Sequence, residues 1–495
     1  MMLRRLLPFL LAAALLAGCG TPVLNPVTGQ TERSVMTEAD EITEGRRLHA
    51  QVLEAYGVVD DAKLQAYVNG VGQRLAAKSH RPELRWTFTV LDSPEINAFA
   101  LPGGFVYVTR GIMAYLDSEA DLAGVIGHEI GHVTARHGAQ RATRQQHAGI
   151  GVFAATVLGA VLEGAGVAGA GDLVGQASQQ VAAGAIASYS RDQELQADQL
   201  GAEYLARTNY DPDNMVAVIR LLRDQEQFAA DAARAAGRAL PDRNQWLASH
   251  PSNEQRLQDI QQIAARYKGE HGDDQRARYL AAIDGMAFGE SREQGVVRGR
   301  RFFHEPLGIT LTAPEGWKIR NSTDALLVVN GAGDAGLIVR VVPPQAGSTH
   351  EEVIAKLKVE QLRTERTALN GLPATRFAGV RRNEQGQLLP IRSTVVSAPG
   401  NRLLLLVHAG RDTAAMQRAQ APLGAIETSL RALTAADRAA ARPWSVALAS
   451  YPRGGFAELA AKSPLDARAE AHLRLLNGLY EGGEPKVGQR VKVIR

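Results

Sequence analysis

The chain has 495 residues, 45% apolar and 22% charged, with a formal charge of +3 and one cysteine. Such a length exceeds one ordinary core and predicts about three domains, and the composition excludes a collagen-like or wholly disordered chain. The charge forms no basic block, so nothing points to nucleic acid, and a lone cysteine excludes an intramolecular disulfide.

The opening "MMLRRLLPFLLAAALLAGCG" places Arg4 and Arg5 before an apolar run from Leu6 to Leu16, with small residues ahead of Cys19. This pattern reads as an export signal, shorter than the roughly 20 apolar residues that span a bilayer. Leu16-Ala17-Gly18-Cys19 resembles a bacterial lipobox. The resemblance implies removal of residues 1–18, acylation of Cys19, and a lipid anchor in the periplasm, with Gly20 favouring the outer membrane. Residues 19–36, rich in Thr, Pro, Asn and Gly, are expected to form a tether.

Thr37 is placed to cap a helix with Glu38, Asp40 and Glu41 in its first turn and Gly57 at its end. A second helix is expected over 61–78. "RWTFTVLDS" and "GFVYVTRG", separated by a Pro-Gly-Gly turn, predict a small antiparallel sheet.

Residues 127–138 read "GHEIGHVTARHG", inside a helix expected to run from its cap at Ser118 to a stop at Gly138. Four-residue spacing stacks His128 and His132 on one face, one turn apart, so both imidazoles reach a single ion. Glu129 projects beside them, where it takes a proton from water without binding the metal. A catalytic zinc needs a third protein ligand and one position for water. On a continuous helix His137 lies about 140° round from His132 and points away. Downstream, "SYSRDQELQADQLGAEYL" offers Glu194 as the third ligand, with Asp198 one turn later to accept a hydrogen bond from a ligating imidazole. Glu163 competes, but its Gly-Ala surroundings give it no orienting partner. The apolar run 148–162 is expected to be a buried or lid-forming helix.

"GEHGDDQR" breaks the helical pattern, and residues 269–299 read as a linker. Residues 300–433 carry short alternating runs with turns between them and one clear helix, "EEVIAKLKVEQLRT", which together predict an α+β domain. A helical repeat of about 34 residues is not found. Residues 443–495 form a last module.

Four ordered motifs, "NAFALPGGFVYVTRGI", "HEIGHVTARHG", "SRDQELQAD" and "SHPSNEQR", resemble the gluzincin family of HtpX, BepA and the CAAX prenyl protease across residues 25–268. The resemblance implies a multidomain protein with a mainly α-helical zincin protease domain and a small β-sheet over 37–268. One Zn2+ per chain would be held by His128, His132 and Glu194, with Glu129 as general base. Asn97, Ala98, Phe99 and Ala100 would form the strand edge to which an extended substrate docks. In BepA-like members a histidine in the "SHP" motif approaches the zinc, which makes His250 an inhibitory fourth ligand. Arg256 would steady a substrate carbonyl or the transition state. Leu476-Asn477-Gly478-Leu479 and Val487-Gly488-Gln489 resemble a degenerate LysM repeat without its usual Gly-Asp-Thr, implying a peptidoglycan contact, with an apolar packing module as the alternative. The expected function is a zinc metalloendopeptidase acting on unfolded or misassembled envelope proteins. Its rival is a chaperone or envelope-binding lipoprotein with the protease site held shut.

Overall fold

The structure, a computed structural model, describes residues 21–141, 189–235, 237, 250, 254–267, 269–322, 325–382, 388–465 and 468–495. The expected export signal with Cys19, the apolar run 148–162 and Glu163 lie outside the described residues. The described residues form two compact units, one drawn from 1–153, 181–286 and 445–495, the other spanning 287–444.

The first unit begins with a correction. In place of a tether, Thr21–Leu24 (β1) and Thr31–Ser34 (β2) pair antiparallel. Asn25 makes the turn, its Oδ1 accepting the N–H groups of Val27 and Thr28 at 2.9 and 3.1 Å. Gly29 completes the turn at φ +68°. The Asn, Pro and Gly that suggested a tether are turn chemistry.

Helix α1 (Glu38–Tyr56) starts at a reciprocal Thr37–Asp40 capping box and ends at Gly57, and α2 (Ala62–Ala76) is capped by Asp61. The strands β3 (Thr87–Leu91), β4 (Ala98–Leu101) and β5 (Phe105–Thr109) assemble in the order β3-β5-β4. The two runs expected to pair antiparallel are parallel, Thr87 opposite Phe105 and Leu91 opposite Thr109. The Pro-Gly-Gly turn instead joins β4 to β5, which pair antiparallel, and β4 is left on the sheet edge.

After α3 (Arg110–Tyr115) comes α4 (Glu119–Thr134), capped by a Ser118–Asp121 box and buried at every residue. A helix enclosed on all sides keeps few polar groups, and three of those in α4, His128, Glu129 and His132, lie at the site. Against it pack α2, β4, α5 (Arg191–Arg207) and α6 (Asp213–Ala235). Glycines set the α4–α5 approach: a Cβ at Gly131 would stand 2.8 Å from the carbonyl oxygen of Ala197, and one at Gly201 would stand 3.1 Å from the His128 nitrogen. Helix α7 (Glu254–Ala264) follows. Part of the expected linker then folds as α8 (Arg276–Ile283): Tyr279 is fully buried with its hydroxyl on the Met113 carbonyl at 2.5 Å, and Arg276 pairs with Asp117 at 2.6 Å.

In the second unit β6 (Val296–Arg298), β7 (Arg301–His304) and β8 (Ile309–Thr312) form an antiparallel sheet. A seven-stranded antiparallel sheet contains β9 (Lys318–Asn321), β10 (Leu326–Val329), β11 (Ala335–Val341), β12 (Glu360–Leu369), β13 (Leu372–Arg382), β14 (Leu388–Ala398) and β15 (Arg402–Gly410) in the order β9-β10-β11-β15-β14-β13-β12. The helix expected over "EEVIAKLKVEQLRT" is half strand: α9 covers His350–Lys356, Lys358 turns the chain at φ +51°, and the remainder pairs with β13. Cross-strand pairing overrides the local helical pattern there. Helix α10 (Thr413–Ser429), with Pro422 inside it, went unread in the sequence and buries Leu423 and Ile426 in the core shared by both sheets.

The last segment, β16 (Trp444–Ser450), α11 (Gly455–Ala460), α12 (Ala469–Leu476) and β17 (Arg490–Ile494), was expected as a separate module. Residues 445–495 instead belong to the first unit. The fully buried Lys492 donates to the carbonyls of Leu116 and Tyr115 at 2.5 and 3.1 Å, and the Tyr115 hydroxyl meets His472 Nε2 at 2.8 Å. Burial pushes the Lys492 ammonium down to about 8. Among the described residues no helix is long and apolar enough to cross a membrane.

Candidate metal centre

Helix α4 brings His128 Nε2 and His132 Nε2 to 3.0 Å of each other, both rings buried. The glycine-lined contact with α5 places Glu194 above them, its Oε1 3.5 Å from His132 Nε2 and its Oε2 3.6 Å from His128 Nε2. His250 completes the group: its Nδ1 lies 3.2 Å from His128 Nε2 and 2.9 Å from Glu194 Oε1. These four side chains converge as one potential metal-ligand set.

The set fits zinc. Tetrahedral Zn2+ with bonds near 2.05 Å spaces its ligand atoms by about 3.3 Å, and the separations here, 2.9 to 3.6 Å, bracket that value. Two nitrogens at 3.0 Å with no room for water between them are poorly satisfied by each other and well satisfied by a shared cation. Both oxygens of Glu129, a residue with no exposed surface, lack a hydrogen-bond partner among the described residues. An orphaned carboxylate beside such a set suits a group that receives a proton rather than one that holds the metal.

Electrostatics follow from burial and partners. Burial pushes His132 well below its ordinary value, keeping it neutral, and burial raises Glu129. Burial also opposes ionisation of Glu194, but the neighbouring His250 and Arg256 outweigh it and hold the carboxyl well below its usual range. For His128 burial is outweighed by Asp198, whose Oδ1 is 2.9 Å from Nδ1, and the imidazole is raised.

Asp198 thus stands where a partner that orients a ligating imidazole would stand. Arg256 is placed otherwise: Nε and Nη2 hold both oxygens of Asp198 at 2.8 and 2.9 Å, and Nη1 lies 2.8 Å from Glu194 Oε2. Its guanidinium buttresses the ligand carboxylate in this arrangement. Ala98, Phe99 and Ala100 lie on β4 and Asn97 just before it, all four buried, and Phe99 stacks on Tyr107 at 4.7 Å. A cleft lined by Ala100, Leu101, Pro102, His132 and Tyr189 joins this edge strand to the metal centre.

Residues 62–264 match the family model described as Peptidase family M48. This segment is similar to M48 peptidase domains. Similar proteins include the beta-barrel assembly-enhancing proteases of Yersinia pestis, 28% identical over 55% of this chain and 57% of that one, and of Escherichia coli, 28% identical over 48% and 47%. The mitochondrial metalloendopeptidase OMA1 of Arabidopsis thaliana is 31% identical over 40% of this chain and 36% of its own. The chain thus spans about half the length of the curated relatives it matches first.

Two contacts of the site were not found in the sequence. The α4 helix does not run on to Gly138: Ala135 caps it and Arg136 turns at φ +56°. His137 therefore swings back beneath His132, its Nδ1 2.8 Å from the ligand's Nδ1. A continuous helix would have turned His137 away from His132, whereas this break brings the two rings together. Tyr189 stacks on His132 with ring centroids 3.8 Å apart, and Arg141 lies 4.5 Å over the tyrosine ring. Nothing in the sequence spacing signals either contact.

Proposed function

We propose that the protein is a zinc metalloendopeptidase. The observation that carries the reading is the convergence of His128, His132 and Glu194 beside the Glu129 carboxylate, which has no hydrogen-bond partner among the described residues. Zinc held by those three ligands would supply a Lewis acid that polarises the scissile carbonyl and makes water reactive near neutral pH. Glu129, raised by burial, takes the proton from the attacking water and returns it to the leaving amine. Asp198 fixes the tautomer of His128, and Arg256 holds Glu194 in place. An extended substrate pairs with the edge of β4 at Ala98–Ala100, which the cleft connects to His132.

His250 makes this arrangement a resting state. Its ring stands between the ligand set and Glu129, with Nδ1 toward the ligands and Nε2 3.6 Å from Glu129 Oε1, so the space for water is filled. Activity requires the His250 imidazole to move aside. The same contact supports a second reading, a binding or chaperone protein with its protease site kept shut. The names of the relatives favour unassembled envelope proteins as substrates, and the lipobox favours a periplasmic protein anchored through Cys19. For the C-terminal segment packing is the favoured role, because Asn477 is buried and spent on Leu473 and Lys492.

Zinc content and casein hydrolysis, measured together for wild type and Glu129→Gln, test the proposal. Equal zinc with cleavage abolished in the variant supports it. Equal cleavage in the two proteins, or a wild type that binds no zinc, contradicts it.

A further inference from the structure

The two histidine ligands are oriented by different chemistry. His128 leans on a carboxylate, Asp198, whereas His132 leans on a second imidazole, His137. The direction of each hydrogen bond beyond His132 is fixed from both ends. At the metal end, Nε2 of His132 faces the ligand set and must present a lone pair, so its proton sits on Nδ1. That N–H donates to His137 Nδ1 at 2.8 Å, which leaves the His137 proton on Nε2. His137 Nε2 in turn donates to Gln196 Oε1 at 3.1 Å.

At the far end, Asn25 of the N-terminal hairpin has only one allowed orientation. Its Oδ1 accepts two backbone N–H groups of its own turn, from Val27 and Thr28. Its Nδ2 therefore faces outward and donates both to Gln196 Oε1 at 3.1 Å and to Glu32 Oε1 at 2.8 Å. Gln196 must then offer oxygen at that point, which in turn requires N–H from His137. The second oxygen of Glu32 accepts Gln140 Nε2 at 2.6 Å, and Gln140 Oε1 accepts Gln193 Nε2 at 2.8 Å, so the hairpin is bonded to the helix that carries Glu194 as well. His137 is fully buried and Asn25 is 3% exposed, so water does not readily replace either bond.

We propose that His137 is a positioning residue for the ligand His132, and that Asn25 in the β1–β2 hairpin sets its tautomer through Gln196, coupling the docked hairpin to metal affinity. The inference rests on His132 being a zinc ligand. It goes further by assigning a role in metal binding to a segment outside the 62–264 match. The hairpin also lies just after Cys19, so the residues nearest the expected lipid anchor belong to the support of the site.

The test is the zinc dissociation constant of the full chain, read by competition with a chromophoric chelator, together with the melting temperature of each zinc-free protein. His137→Ala is expected to weaken zinc on the order of 10- to 100-fold, as loss of a ligand's hydrogen-bond partner does. His137→Gln, whose amide accepts from His132 and donates to Gln196, is expected to recover most of that loss. Asn25→Asp keeps the turn bonds at Oδ1 and removes the N–H that Gln196 receives, and a loss on the order of tenfold is expected. The double variant Asn25→Asp/His137→Ala should bind no more weakly than His137→Ala alone, because the relay is already cut. Unchanged zinc affinity in His137→Ala or Asn25→Asp, or losses that multiply in the double variant, would overturn the proposal even if the melting temperature falls. A His132→Ala protein that retains its zinc would instead overturn the ligand assignment beneath it.

Discussion

Nε2 of His250 stands 3.6 Å from Oε1 of Glu129, while Nδ1 of the same ring lies 3.2 Å from Nε2 of His128. One imidazole thus spans the gap between the ligand set and Glu129, which in the proposed mechanism the attacking water occupies. Ligand and base assignments both bear on that gap, and each has a separable consequence.

Removing the plug should activate the site. His250→Ala is expected to keep zinc, because three ligands remain, and to raise casein turnover on the order of tenfold or more, self-cleavage included. A drop in turnover with unchanged zinc and melting temperature would show that His250 assists the reaction instead of blocking it.

Ligand removal should separate from base removal. His128→Ala, His132→Ala and Glu194→Ala are expected to lose zinc and activity together, while Glu129→Gln keeps zinc and loses about 100- to 10,000-fold in turnover. Metal analysis of the purified variants decides the point, and stoichiometric zinc in Glu194→Ala would remove Glu194 from the ligand set.

The close approach of α4 and α5 should tolerate no added methyl. At Gly131 a Cβ would sit 2.8 Å from the Ala197 carbonyl oxygen, a backbone atom that cannot swing away, so Gly131→Ala is expected to cost about 1–3 kcal/mol and to weaken zinc by displacing Glu194. Gly424→Ala, in α10 with nothing within 4 Å of the new carbon, is the control and should be neutral or slightly stabilising. Thermal melting of the two variants gives the comparison; equal melting temperatures would contradict the packing argument.

Much of this arrangement was legible in the sequence because it obeys helical spacing. His128 with His132 and Glu194 with Asp198 share faces by the four-residue rule, and the caps at Thr37 and Ser118 follow from short polar side chains before acidic first turns. Features set by tertiary contacts were not legible. Arg136 takes a left-handed conformation with its guanidinium on Glu41 and Glu38 of α1, and that break alone turns His137 under His132. The parallel pairing of β3 with β5 depends on β4 lying between them in the chain, and the second half of "EEVIAKLKVEQLRT" became strand because β13 was there to pair with it. The hairpin at residues 21–34 was hidden by a composition that tethers and turns share.

In the second unit, the buried Glu427 accepts from His408 Nε2 at 2.9 Å and Arg376 Nε at 2.7 Å. Burial raises its carboxyl, but those two bonds outweigh burial and bring it down to about 2, from an ordinary value of 4.5. A carboxyl depressed on folding contributes stability that is complete above about pH 4.5 and is lost as pH falls through about 2. Glu427→Gln should therefore destabilise this unit by about 3 kcal/mol near pH 6, with the deficit shrinking steadily between pH 4.5 and 2 in urea titrations. A deficit independent of pH would show that the carboxylate is not the stabilising form.

The most direct test of the central claim is X-ray absorption at the zinc edge on the resting, full-length protein, repeated for His250→Ala. The account predicts one zinc per chain bound by three imidazoles and one carboxylate at about 2.0–2.2 Å, with one imidazole replaced by an oxygen donor, and its outer-shell ring scattering lost, in the variant. A wild-type spectrum with two imidazoles or fewer, or one unchanged by His250→Ala, would contradict the resting site described here, and a protein that takes up no zinc would contradict the account as a whole.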